Sequence, residues 1–191
     1  MENKVTVGVS ARHIHLTRED LDVLFGEGYE LTVKKYLSQP GQFAAEERVK
    51  VVSPAGGEID RVSILGPLRS ATQLEISKSD AVKGKFNAPV RESGDVAGSG
   101  AFKIVGPKGE VEAKEGVIVA ARHIHFSTEE AKAYGVKDKD VVSVVVPGAR
   151  GGVMANVLCR VKDNFTLDFH IDTDEANAFD LHQGDVVEIV K

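Results

Sequence analysis

Apolar and polar residues alternate from the first few positions of the chain. Val5, Val7 and Val9 interleave with Thr6, Gly8 and Ser10, the period of a half-buried strand. Strand patterns recur at 29–33, 48–53, 58–65, 87–90, 101–105, 111–113, 117–121, 153–161, 165–171 and 186–190. The β-branched run 141–146 reads as a buried strand. Turns separate these runs, among them Pro54-Ala55-Gly56-Gly57 and Gly106-Pro107-Lys108-Gly109. Residues 34–46, with Gln39-Pro40-Gly41-Gln42, read as an excursion or small hairpin. Helical spacing is confined to 17–25, 127–134 and 173–179. Thr17 and Ser127 each precede an acid by three residues, the sign of a capped helix start. Short strands with a turn every eight to twelve residues favour a mainly β chain of small barrels over a parallel α/β sheet.

One motif occurs twice in this pattern. Ser10-Ala11-Arg12-His13-Ile14-His15 is matched by Ala120-Ala121-Arg122-His123-Ile124-His125. On a strand the two histidines of each copy share a face, roughly 7 Å apart, while the isoleucine turns to the opposite side. Two imidazoles so placed can converge on a metal ion. A single His-x-His is more often a plain polar face. Here the apolar strand, the Arg-His-Ile-His and the capped helix repeat as a unit, which favours a metal site. The repeat also suggests two barrels, with no linker between them.

Zinc takes about four ligands, so each pair needs a further donor. In Leu167-Asp168-Phe169-His170-Ile171-Asp172 the candidate is His170, against the alternative of a surface histidine. Asp168 and Asp172 could orient a ligand, though solvated acids are the simpler reading. For the first pair the candidate is Glu75, in Gln73-Leu74-Glu75-Ile76-Ser77, against a solvated carboxylate. His182 precedes Gln183-Gly184 and reads as an exposed turn residue.

Composition narrows the chemistry. The 191 residues carry a net charge of −5 with acids and bases interspersed, which argues against a nucleic-acid partner. Nothing reaches transmembrane length, and no membrane partner is expected. The one cysteine, Cys159, alternates with Val157 and Val161 and reads as core. It permits neither an internal disulfide nor a cysteine zinc cluster and suits a reducing cytosol. Arg12, Arg122, Arg69, Arg91 and Arg150 are candidate anion clamps, with exposed turn residues as the plainer alternative. The Gly/Ser-rich loop 91–100 lacks the Lys-Ser/Thr of a P-loop.

The two Arg-His-Ile-His motifs, Gly66-Pro67-Leu68-Arg69, Gln73-Leu74-Glu75-Ile76-Ser77, Arg91-Glu92-Ser93-Gly94-Asp95 and Asp172-Thr173-Asp174-Glu175-Ala176-Asn177 together resemble the PduL-type phosphotransacylases, or phosphate propanoyltransferases, over nearly the whole chain. The resemblance implies two β-barrels with short capping helices. The first strand would be swapped into the C-terminal barrel, giving domains 1–11 plus 121–191 and 12–120, with an excursion near 34–46. It implies two zinc ions per chain, one on His13, His15 and Glu75 and one on His123, His125 and His170, with Arg69 at the phosphate. The implied reaction interconverts acyl-CoA plus phosphate with acyl phosphate plus CoA by direct attack of phosphate on the thioester. Propanoyl-CoA and acetyl-CoA are the expected acyl donors, and a homodimer is compatible. Microcompartment members of the family carry an N-terminal targeting extension. The chain as given begins without one, so a cytoplasmic location is expected, or a microcompartment lumen if an extension was removed.

Two rival readings remain at this level. A dinuclear metallohydrolase would use a metal hydroxide in place of phosphate. A non-catalytic tandem barrel would bind metal or ligand without turnover. Histidine and glutamate ligands also accept iron or manganese.

Overall fold

The computed structural model describes residues 3–191. Their order is β1 (Lys4–Ser10), β2 (His13–His15), α1 (Arg18–Phe25), β3 (Val33–Tyr36), β4 (Phe43–Val52), β5 (Glu58–Gly66), β6 (Gln73–Glu75), α2 (Lys78–Lys83) and β7 (Val90–Arg91). Then follow β8 (Gly100–Val105), β9 (Glu110–Ala120), β10 (His123–Phe126), α3 (Thr128–Tyr134), β11 (Val141–Val146), β12 (Gly152–Val161), β13 (Asp168–Asp172), α4 (Thr173–Phe179) and β14 (Val186–Val190). The chain is mainly β, as its alternation predicts.

It divides into two compact units. One comprises residues 1–11, 38–40 and 121–191, the other residues 12–37 and 41–120. In the first unit six strands close a barrel in the order β1-β13-β10-β12-β11-β14. The first strand therefore belongs with the C-terminal strands, pairing parallel to β13 and antiparallel to β14. Inside lies one apolar cluster that includes Val7, Ile124, Phe126, Cys159 and Phe169. The run 141–146 alternates buried and outward-facing residues, with Val141 60% exposed. A barrel wall has only one apolar side, so β-branching marks the strand but not burial on both faces.

In the second unit β4, β5, β2, β6, β9 and β8 pair in turn, and β8 returns to β4, closing a second six-strand ring. β3 and β7 add to its edges. Its core is a separate cluster including Ile14, Leu21, Leu74, Ile104 and Val117.

The helices are short and locally specified. Thr17, Ser77, Ser127 and Asp172 each accept a hydrogen bond from the backbone N–H three residues on, capping the four helices. Ser127 and Asp172 make full capping boxes with Glu130 and Glu175. Helix α2 has no counterpart among the sequence expectations, although Ser77 and Asp80 carry its start signal. The strand expected at 29–33 instead begins at Val33. The Tyr29 hydroxyl and the Thr32 N–H both bond the Glu47 carboxylate, which holds this stretch off the ladder. The segments 111–113 and 117–121 form one strand, β9, bent at Gly116 with φ of 134°.

Candidate metal centres

Each Arg-His-Ile-His copy becomes a short interior strand, β2 or β10. Both lie between a parallel and an antiparallel neighbour. In the second unit β6 runs antiparallel to β2 and places Glu75 opposite His13 and Gln73 opposite His15. In the first unit β13 runs antiparallel to β10 and places His170 opposite His123 and Asp168 opposite His125. The duplication thus extends beyond the motif to the strand that faces it.

Register brings together the six residues singled out in the sequence. His13, His15 and Glu75 form one group and His123, His125 and His170 another, each with donor atoms within 4.8 Å of one another. The His13 Nε2 and Glu75 Oε2 atoms are 3.5 Å apart. Two zinc ligands at tetrahedral angles stand roughly 3.3–3.6 Å apart. The paired rings lie closer than strand spacing alone gives, with centroids 5.1 Å apart for His13 and His15 and 4.7 Å for His123 and His125. Ile14 and Ile124, between the histidines, are fully buried in the two cores and anchor the strands.

Burial keeps the inner imidazoles neutral. Desolvation, with help from His13 and the Arg69 charge, holds His15 at a pKa of about 3. Desolvation, then the neighbouring His123 and His170, holds His125 at about 2. A neutral imidazole is the form that ligates a metal. His15 makes a hydrogen bond with the Leu65 backbone, yet among the described residues its buried Nδ1 has no hydrogen-bond partner. The buried Nδ1 of His125 also lacks one among the described residues. Such groups are rarely left orphaned in a protein interior. The Nδ1 of His123 bonds the Ala121 carbonyl, which leaves Nε2 with a lone pair. The His170 Nε2 donates to Asp168, leaving its Nδ1 as the donor atom for a metal. Orphaned buried nitrogens, mutual distances and a nitrogen and carboxylate donor set all fit a zinc ion in each group.

The carboxylates are not solvated. Glu75 is 8% and Asp168 4% exposed. Burial alone would raise the pKa of Glu75, but His13, His15 and the Ser93 hydroxyl hold it well below the carboxylate range. Its Oε1 accepts from Gln73 Nε2 at 2.5 Å and from the Ser93 hydroxyl at 2.6 Å. The Gln73 oxygen accepts from the Gly94 N–H at 2.7 Å, which fixes the orientation of the amide. Burial also opposes ionisation of Asp168, but bonds from His170 and Ser38 outweigh it and lower its pKa. Gln39 clamps the same stretch, pairing both ends of its amide with the Thr166 backbone.

Arg69 stands beside the first group, where its Nη1 donates to Ser93 at 3.3 Å. The other arginines serve elsewhere. Arg12 pairs with Asp80 and Arg122 with Glu175. Arg91 pairs with Asp95, and Arg150 donates to the Ala178 carbonyl. His182 is exposed, and burial pushes the Cys159 thiol up to about 11. Gln73, Ser93 and Ser38 escaped the sequence reading, and Asp168, a candidate for orienting a ligand there, is buried where a solvated acid was the simpler expectation. The available signal was the placement of Gln73 and Asp168, each two residues before a third donor.

Known proteins resemble this chain in sequence over nearly its whole length. A family model described as phosphate propanoyltransferase matches residues 6–182. A Thermotoga maritima protein named phosphate propanoyltransferase is 53% identical over 191 residues, spanning all of this chain and 90% of the relative. A Lachnoclostridium phytofermentans protein of the same name is 51% identical, spanning 97% of this chain and 87% of its own. One from Priestia megaterium is 52% identical, spanning 96% and 84%. With half of all positions shared from end to end, the chain belongs to the phosphate propanoyltransferase family of acyltransferases.

Proposed function

We propose that this protein transfers a short acyl group between CoA and inorganic phosphate with the help of two zinc ions. Propanoyl-CoA, suggested by the name phosphate propanoyltransferase that its relatives carry, and acetyl-CoA are the acyl donors to compare. The observation that carries the metal part is the pair of converging three-donor groups with orphaned imidazole nitrogens.

His13, His15 and Glu75 would hold one ion and His123, His125 and His170 the other. Zinc bound there would supply a Lewis acid for the thioester oxygen and a cation suited to thiolate. Arg69 offers a planar, permanently charged clamp for phosphate. Holding the dianion there would offset its repulsion from the anionic CoA and pre-pay its orientation. A phosphate oxygen would attack the carbonyl carbon and the carbon–sulfur bond would break. The proton of hydrogen phosphate would end on the CoA sulfur. This route needs no acyl-enzyme, which agrees with the burial and raised pKa of Cys159.

The test is thiol release from propanoyl-CoA and acetyl-CoA, with and without phosphate, alongside elemental analysis. Release that requires phosphate, from protein with about two zinc ions per chain, is the expected result. Release without phosphate would make the protein a hydrolase. No release from folded, metal-loaded protein would leave a binding module.

A further inference from the structure

The two donor groups differ in one ligand and in one supporting residue, and the two differences are linked. At the third-donor position, opposite the first histidine of each motif, stand Glu75 and His170. Opposite the second histidine, two residues earlier, stand Gln73 and Asp168. In both units the earlier residue hydrogen-bonds the later one, Gln73 to Glu75 and His170 to Asp168. The polarity is reversed. A carboxylate only accepts, and it meets the amide's N–H. An imidazole with one N–H donates, and it meets a carboxylate.

A serine from a distant loop completes each pair. Ser93 donates to Glu75 and Ser38 to Asp168, so each hydroxyl reaches the one carboxylate of its pair. Ser93 also accepts from Gln73 Nε2 at 3.1 Å and from Arg69, so its own hydrogen can go only to Glu75. Gly8 leaves room for the other pair. A Cβ there would lie 3.0 Å from His170 Cδ2 and 3.1 Å from an Asp168 oxygen.

From this correspondence we infer that Gln73 and Asp168 are equivalent positioning residues, each matched in hydrogen-bond polarity to the donor two residues further on. Either support leaves one atom of its donor bonded and directs another toward the metal. In Glu75 the bonded atom is Oε1, while Oε2 faces His13. In His170 the bonded atom is Nε2. Third donor and support therefore form an exchangeable pair, and neither can change type alone. This inference rests on the reading that both groups hold zinc.

The experiment is a zinc competition titration of the metal-depleted full chain against a chromophoric chelator, with a melting curve for every variant. Glu75→His alone sets an imidazole N–H against the Gln73 amide N–H and should weaken one site about 10–100-fold. Adding Gln73→Asp supplies an acceptor that Ser93 and the Gly94 N–H can support, and most of that loss should be recovered. In the other unit His170→Glu should weaken its site by a similar factor, and Asp168→Asn should restore it by supplying an N–H. Double variants that melt cooperatively yet bind no better than the singles would overturn the pairing. If a double variant does not fold, Asp168→Leu and Asp168→Asn decide. Leucine should cost about 10–100-fold in affinity and asparagine, whose amide oxygen still accepts, much less. Equal affinity in those two would overturn it. His13→Ala is the control for the underlying reading. Retention of two zinc ions by that variant would remove the metal reading and this inference with it. Loss of one, without recovery in the double variants, would remove the pairing alone.

Discussion

Glu75 and His170 occupy the same place relative to the duplicated motif. Glu75 faces His13 across β2 and β6, and His170 faces His123 across β10 and β13. The correspondence gives each barrel a complete three-donor group on rigid, hydrogen-bonded strands, an arrangement that suits a site needing little reorganisation.

If the groups hold one ion each, His13→Ala and His123→Ala should each lower bound zinc from two per chain to one. Activity should fall by two orders of magnitude or more in both. Elemental analysis of each purified variant, with steady-state rates, checks this. A chelator should abolish activity, and added zinc should return it.

Arg69→Ala should leave zinc content unchanged, because the guanidinium contacts Ser93 and is not among the converging donors. The loss of a charged hydrogen-bonding group is worth about 1.5–3 kcal/mol, or roughly 10–100-fold. The expected result is that loss in kcat/KM for phosphate with a smaller change in KM for acyl-CoA. Unchanged phosphate kinetics would remove Arg69 from its role.

Gly8→Ala should weaken the His123, His125 and His170 group selectively. The added methyl would sit 3.0–3.2 Å from His170 and Asp168 atoms, so the pair must shift by a few tenths of an ångström. Zinc affinity should fall at this group and stay unchanged at the other. Site-resolved competition titrations measure the difference.

Cys159→Ala should keep turnover, since the thiol lies in the apolar core of its barrel. Its folded pKa, raised to about 11, exceeds the unfolded value near 9. The folded state holds the proton longer, so this contribution is intact below about pH 9 and lost as pH rises toward 11. Denaturant melts across that range should fall more steeply for the parent protein than for the alanine variant. Loss of turnover in the folded variant would argue for an acyl-enzyme instead.

Ile14→Ala should unsettle fold and site together. Ile14 is fully buried between the two histidines. Removing it should cost about 2–5 kcal/mol in chemical denaturation. Zinc affinity at the His13, His15 and Glu75 group should fall as well.

Much of this protein was legible in its sequence because the signals are local. Two-residue alternation dictates short strands, and Thr17 and Ser127 mark helix starts through bonds spanning three residues. The repeated Arg-His-Ile-His announces paired imidazoles, since strand geometry alone puts His13 beside His15 and His123 beside His125. Residue chemistry also made Glu75 and His170 candidates. Register decided that they complete the two groups, and register depends on which strands pair between residues 62 apart, His13 and Glu75, and 47 apart, His123 and His170. Only the tertiary structure shows that Asp168 is buried and bonded, because a polar residue beside a barrel core looks solvated until Ser38 and His170 surround it. The same holds for Gln73 and Ser93, whose roles come from partners that the fold brings together. Short-range stereochemistry wrote the strands and the metal-binding residue types into the chain. Long-range pairing chose their partners, their burial and the direction of every hydrogen bond around them.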